Sequence, residues 1–305
     1  MIRRLKYHEI DFKKYSDCLE NSQQRKYSAT KYFLDITSGK QWEALVYNDY
    51  EAVMPIPFVI KYGVKIVHNP RLCQQLGVFS SKDDIEINED FLNYLKENYL
   101  VRIYTFNDTN HFNSTIESKN NFLIFPDIYE KVYAKYSPKR KRKLRLDEEI
   151  LLHSEIKEIT YDEAKNFIKT NFIGAKSESD KLSFMKIFEL FFGMNYLKFS
   201  AFYYKSRIVN VIVTFCDKDT TALLGTFNDK EYVKLSGASV LIDKAIKENI
   251  QTHIFDFEGG SLPNIEEFFR GFRPELKPYS IIESSKNELF KTLFKLIFNG
   301  KFFKN

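Results

Sequence analysis

The stretch HIFDFEGGSLPNIEEFFRGFRPELKPY, residues 253–279, decides how the second half of this chain is read. HIFDF (253–257) alternates like a strand, and Gly259-Gly260 then permits backbone that other residues resist. Ser261 is placed to cap a helix that Pro263 begins, over LPNIEEFFRGF (262–272), and KPYSIIES (277–284) reads as a further strand. A strand that stops at two glycines in front of a helix ends where a ligand can approach. Continued through residue 258, period-two alternation sets Asp256 and Glu258 on one face and His253, Phe255 and Phe257 on the other.

Upstream, FSAFYY (199–204), a Lys205-Ser206 turn and RIVNVIVTF (207–215) form a hairpin, and TTALLGTF (220–227) adds a strand. GASVLIDKAIKENI (237–250) follows as a helix with Val240, Leu241, Ala245 and Ile246 suited to its buried face. Two helices precede these strands, over 160–172 and 181–194, the first opened by a capping box of Thr160 and Glu163. The predicted order of the second half is therefore helix-helix-β-β-β-α-β-α-β.

The first half carries the same theme more faintly. It offers a helix near 11–26, then WEALVY (42–47), an Asn48-Asp49 turn and YEAVMPIPFVI (50–60), KIVHN (65–69), a helix over 88–98 and VRIYTF (101–106). Pro55 and Pro57 predict an edge or a bulge, since proline lacks the ladder N–H. EALVYNDYEAVMPIPF (43–58) and SAFYYKSRIVNVIVTF (200–215) match in hairpin length and share Ala, Tyr and Phe, a weak sign of internal duplication. The expected division is a domain over 1–136, a basic linker helix at SPKRKRKLRLDEE (137–149) and a second domain over 150–305.

Composition narrows the functional classes. With 305 residues, 44% hydrophobic and 29% charged, the chain has enough apolar material for two packed cores and is not of disordered composition. Cys18, Cys73 and Cys216 are too scattered for a zinc half-site or a disulfide framework, and the five histidines show no metal spacing, so no metal is assigned. MIRRLKYHEIDF lacks a following apolar segment and no window is long and apolar enough to span a bilayer, which leads to the expectation of a cytoplasmic protein. The net charge of +5 is concentrated in SPKRKRKLR (137–145), which holds six cations and no anion. Those six, Arg142 and Lys143 among them, suit a nucleotide diphosphate or an RNA backbone, or simply a solvated linker. The tail FKTLFKLIFNGKFF (290–303) has the Lys-spaced apolar pattern of a membrane-surface helix, but packing on its own domain is the expectation and membrane contact is not.

The element order of the second half is similar to that of the GNAT acyltransferase fold. That fold carries Q/R-x-x-G-x-G/A at a helix start, and KLSGAS (234–239) stands in this place as K-x-x-G-x-S. The opening stretch resembles the C-terminal signature of the FemABX-type aminoacyl transferases, which are tandem GNAT-like proteins, through Asp256, Gly259, Ile265, Phe268, Gly271, Phe272 and Tyr279. VMPIPFVIKYG (53–63) with NPRLCQQLGVF (69–79) resembles their first domain, and YSPKRKRKLR (136–145) the basic segment before their second. Phe269 departs from the lysine of the FKxxFG pattern, Arg273 follows Phe272 in place of glycine, and no coiled-coil insertion interrupts the second half.

The resemblance implies an α+β chain of two tandem GNAT-like domains, each a mixed, mostly antiparallel sheet flanked by helices. It implies an N-acyltransferase with acyl-CoA or aminoacyl-tRNA as co-substrate, forming an amide on an amine of a small metabolite or a cell-envelope precursor. Lys234, Gly237, Ala238 and Ser239 would hold the donor, because small residues let helix-start N–H groups approach an anion. Asp256 and Glu258 would share proton transfer and amine positioning in the cleft between domains, or Asp256 would instead cap a turn or pair with a nearby arginine. Tyr204 and Tyr279 are candidates for protonating the leaving group. Arg270 and Arg273 would grip a phosphate or carboxylate, or stand as surface arginines with no ligand, and Gln74 and Gln75 would hold the acceptor or pair at a domain interface. tRNA is a candidate partner and DNA is not. The rival reading is a silent GNAT-like module that binds RNA or an anionic ligand.

Overall fold

The computed structural model describes residues 1–260 and 262–298. The chain forms two compact units, Met1–Asn120 together with the chain from Pro278 onward, and Asn121–Lys277.

In the first unit, strands β1 (Ile2–Leu5), β2 (Trp42–Tyr47), β3 (Ala52–Lys61), β4 (Val64–His68), β5 (Phe79–Ser80), β6 (Val101–Thr105) and β7 (Glu117–Lys119) form one sheet with the chain's last strand, Tyr279–Glu283. The order is β1-β2-β3-β4-β6, the last strand, then β7, with β5 beside β3. Only the β4–β6 pair is parallel among these ladders. Helices Phe12–Glu20 and Ile85–Asn98 are each capped by an aspartate, Asp11 and Asp84, whose carboxylate accepts two first-turn N–H groups. Trp42, Tyr15, Phe33 and Phe79 lie fully buried in this unit. Contrary to expectation β3 is no edge strand. It pairs with β5 at Ala52 and Val53 and with β4 from Phe58 onward, so Pro55 and Pro57 fall in the gap where β2 is its one partner.

The second unit contains β8 (Phe122–Ile124), β9 (Ser154–Ile159), β10 (Leu197–Tyr204), β11 (Arg207–Cys216), β12 (Thr220–Asn228), β13 (Ile254–Asp256) and β14 (Glu275–Leu276), in the order β14-β8-β13-β12-β11-β10-β9. Lys205 and Ser206, with φ of 48° and 61°, make the two-residue turn between β10 and β11 that the sequence predicts. The capping box of Thr160 and Glu163 also forms. β12 and β13 run parallel, joined by helix Gly237–Asn249 as the crossover. Its Leu241, Ile242 and Ile246 pack with Phe122, Phe202, Phe255 and Phe257 in the core.

The architecture is the expected α+β pair of mixed sheets flanked by helices, but the chain divides elsewhere than at 137–149. β8, which precedes the basic segment, pairs with β13 through Phe255 and Asp256. The last strand, β15 (Tyr279–Glu283), leaves the second half to pair with β6 and β7. Each sheet is thus completed by a short strand from beyond the expected boundary. The basic segment is no separate linker either, because helix Pro138–Leu144, capped by Ser137, lies within the second unit and packs on helix Gly237–Asn249.

Candidate functional site

The site is built around the end of β13. That strand stops at Asp256, and the chain then takes left-handed backbone at Glu258, Gly259 and Gly260, with φ of 51°, 137° and 138°. A Cβ on Gly260 would stand 2.3 Å from a ring carbon of Phe122, so the glycine serves both the conformation and the close packing. Asn121, immediately before the neighbouring strand β8, holds the loop. Its Oδ1 accepts from the Gly259 N–H at 3.0 Å and its Nδ2 donates to Asp256 Oδ1 at 3.0 Å. Asp256 Oδ1 also accepts from the Glu258 N–H at 2.8 Å, and the residue is 4% exposed. Asp256 therefore fastens the turn and does not line the adjoining cavity, whereas Glu258 does. The predicted pairing of the two carboxylates on one strand face fails because the strand ends between them.

That cavity encloses about 730 Å³. One wall is the start of helix Gly237–Asn249, represented by Ser236, Ala238 and Ser239. The Ser236 carbonyl accepts from the N–H groups of Ser239 and Val240, which leaves those of Gly237 and Ala238 without an intrahelical acceptor. Gly237 lies against Asn210: a Cβ there would stand 2.0 Å from Asn210 Oδ1 and 2.9 Å from a ring carbon of Phe202. Another wall comes from Gly225 and Thr226 on β12, and Phe257, Phe268 and Phe269 supply apolar surface. Asn210, 1% exposed, also lines the space; its Nδ2 donates to Asn228 Oδ1 at 2.7 Å, while its own Oδ1 has no hydrogen-bond partner. Among the described residues lining it, Glu258 is the one carboxylate and Lys143 the one cation.

Arg140 ties three elements together. Its Nη1 donates to Ser239 Oγ, its Nη2 donates to the Phe268 carbonyl at 2.7 Å, and its guanidinium stacks on the rings of Phe268 and Phe272 at 4.2 and 4.1 Å. Burial lowers its pKa to about 10, against the opposing pull of Tyr136 and Asp243. Of the six predicted cations this one turns inward. Lys139 and Lys143 border, with Arg140, a second, basic cleft of about 400 Å³ that shares Lys143, Asn264 and Phe268 with the first cavity. Arg270 and Arg273 line that cleft too. Lys139 pairs with Glu267 at 3.0 Å and Arg270 with Glu266 at 2.6 Å. Among the described residues Lys143 and Arg273 make no ion pair, and partial burial together with the positive charges of Arg140 and Lys139 lowers the Lys143 pKa.

The remaining candidates do not join this site. Tyr204 packs against Tyr232, and neither Tyr204, Lys234 nor Arg142 lines the cavity or the cleft. Tyr279, Gln74 and Gln75 belong to the first unit. There Gln75 is internally engaged, its Oε1 accepting from the Asp108 N–H at 2.8 Å and its Nε2 donating to Gln74 Oε1 at 3.2 Å. The predicted cap residue Ser261 lies outside the described residues. Three residues of the site escaped the sequence reading: Asn121, Arg140 in its inward role, and Asn210. Asn210 had a usable signal, a lone polar residue within the apolar run RIVNVIVTF.

No protein-family model matches the sequence, and no curated protein matches it. Solved structures do resemble it. FemX is similar over 91% of this chain and 96% of its own, at 8% identity and a TM-score of 0.65. A conserved protein of unknown function from Bacteroides thetaiotaomicron VPI-5482 is similar over 93% and 100%, at 11% identity and a TM-score of 0.53. A tandem GNAT protein from the clavulanic acid biosynthesis pathway is similar over 92% and 97%, at 8% identity and a TM-score of 0.52. At such identities the likeness concerns the fold alone, which is a tandem GNAT-like one.

Proposed function

We propose that the chain is an N-acyltransferase whose donor lies in the second unit, with its acyl carbonyl beside Glu258 and an anionic carrier along the basic cleft. The observation that carries this reading is a cavity lined by the start of helix Gly237–Asn249 and by Glu258, adjoining a basic cleft lined by Arg273, with Lys143, Asn264 and Phe268 lining both. An acyl-CoA or an aminoacyl-tRNA meets these demands, since each joins a transferable acyl group to phosphates. The acceptor is an amine of a small metabolite or an envelope precursor.

The chemistry asked of the protein is modest. The neutral amine attacks the acyl carbon, the C–N bond forms, and the C–S bond of a thioester or the C–O bond of an ester breaks. Glu258 accepts the proton the amine sheds, and the departing thiolate or alkoxide takes up one in return. The N–H groups of Gly237 and Ala238, which have no intrahelical acceptor, favour negative charge on the donor. Asn210 Oδ1, buried without a donor, matches a ligand that brings an N–H into the cavity. Asp256, Asn121 and Arg140 act as positioning residues, because each holds an element of the wall and none supplies a reacting group.

Calorimetric titration of the full chain with acyl-CoAs, aminoacyl-tRNA and nucleotide-sugar precursors tests the assignment. Binding of an acyl donor that is weakened by Lys143→Gln and by raised salt supports it. Binding of deacylated RNA alone, with no amide product from any donor, replaces it with the silent-module reading, which draws on the basic cleft and on Phe269 in place of lysine.

A further inference from the structure

Helix Lys286–Phe298, in the first unit, has an apolar arc wider than its own domain uses. Leu296 is buried and Leu289 and Leu293 are half-buried against the unit. Rotating around the same helix, Phe290, Phe294 and Phe298 recur at four-residue spacing with Ile297 beside them. They are 61%, 58%, 84% and 36% exposed, an aromatic row standing in solvent. Lys291 and Lys295 each follow one of these phenylalanines and border the row, both exposed. The helix's one acid, Glu288, is occupied at its start, where it accepts from the Ser285 N–H at 2.6 Å. NGKFFKN (299–305), which follows in the sequence, repeats the same alternation of lysine and phenylalanine.

We propose that this helix docks the protein on an anionic lipid surface, lying in the interface with Phe290, Phe294 and Phe298 among the acyl chains and Lys291 and Lys295 at the headgroups. A row of exposed aromatic side chains flanked by lysines, with no acid in the helix after Glu288, is complementary to a surface that is apolar below and negative above. A second copy of the chain fits worse, because a two-fold interface over the same row would bring Lys291 and Lys295 toward their own counterparts. The helix lies on the bilayer and does not cross it: 13 residues span roughly 20 Å, short of a hydrocarbon core of about 30 Å, and among the described residues no helix is long and apolar enough to cross a membrane. The expectation of a tail packed wholly on its own domain is met by one side of the helix only.

The test is flotation of the full chain with vesicles of phosphatidylcholine alone and of phosphatidylcholine mixed with phosphatidylglycerol. A Phe294→Trp variant reports insertion by a blue shift, since the native Trp42 is fully buried and gives a constant background. The expected result is partition onto the anionic vesicles alone, weakened by salt. Phe290→Ser with Phe294→Ser should abolish it, and each of Lys291→Gln and Lys295→Gln should weaken it roughly fivefold. All four positions are exposed, so an unchanged melting temperature and unchanged donor titration are expected alongside, which separates this outcome from the fate of the acyltransferase reading. The proposal is overturned by absence of binding to anionic vesicles, by binding that survives the double serine change, by loss of binding through Lys139→Gln with Lys143→Gln instead, or by a concentration-dependent dimer that the serine changes disperse.

Discussion

Replacing Arg140 by alanine is the sharpest test of how the site is held. Two hydrogen bonds from a buried charged donor, to Ser239 Oγ and the Phe268 carbonyl, contribute about 1.5–3 kcal/mol each. Stacking on Phe268 and Phe272 adds about 2 kcal/mol in total. Against these stands the burial that lowers the guanidinium from 12.5 to about 10, which corresponds to about 3 kcal/mol. The balance leaves Arg140→Ala destabilising by roughly 2–5 kcal/mol, or a fall of roughly 4–20 °C in the melting temperature of the second unit. Arg140→Met, which keeps the ring contacts and removes the buried charge, should be milder. Differential scanning calorimetry reads both. An Arg140→Ala protein that melts within a degree of the native one would refute the reasoning and return the basic segment to the role of solvated linker.

Other changes probe separate contacts. Gly237→Ala forces a methyl against buried Asn210 and Phe202, so it should cost about 1–3 kcal/mol in thermal melts and weaken donor binding in the same titration. Asp256→Ala removes the acceptor for Asn121 Nδ2 and the Glu258 N–H; denaturant unfolding should show a loss of about 1–3 kcal/mol, with Asp256→Asn milder because it retains an acceptor oxygen. Asp243, which accepts from the Tyr129 hydroxyl at 3.0 and 2.9 Å, has its pKa raised, first by burial and against the opposing effects of Tyr129, Tyr136, Lys247 and Arg140. A raised carboxyl pKa means that the folded state holds this proton more tightly, so its stabilising effect is full below the ordinary carboxyl pKa and is lost as pH rises through the folded value. The stability advantage of the native chain over Asp243→Asn should therefore shrink as pH rises across that window, and an advantage that grows instead contradicts the assignment.

Much of this arrangement was legible in the sequence because local signals and long-range packing agree there. The Lys205-Ser206 turn, the Thr160–Glu163 capping box and the periodicity of helix Gly237–Asn249 each follow from a few adjacent residues. The two glycines at 259 and 260 did mark the strand end at a ligand-sized cavity, and the close Phe122 ring gives the second of them its reason. What stayed hidden depends on partners distant in sequence. β8 is only three residues long, and its membership of the second sheet is defined by Phe255 and Asp256 more than a hundred positions later. The division of labour between Asp256 and Glu258 likewise hinges on Asn121, whose amide holds the first carboxylate in the turn. Period-two reasoning assumes that the strand continues, and here it stops one residue after Phe255. Arg140 looks like its five basic neighbours until Phe268, Phe272 and Ser239 fold around it.

The most direct measurement is single-turnover transfer from a bound acyl donor to an amine, followed by mass spectrometry, with the native chain and Glu258→Gln compared at saturating donor. An amide product from the native chain, formed about a hundredfold or more slowly by Glu258→Gln at unchanged donor affinity, is the predicted result. Equal rates in the two proteins, or a tightly bound donor that never yields an amide, would contradict the account.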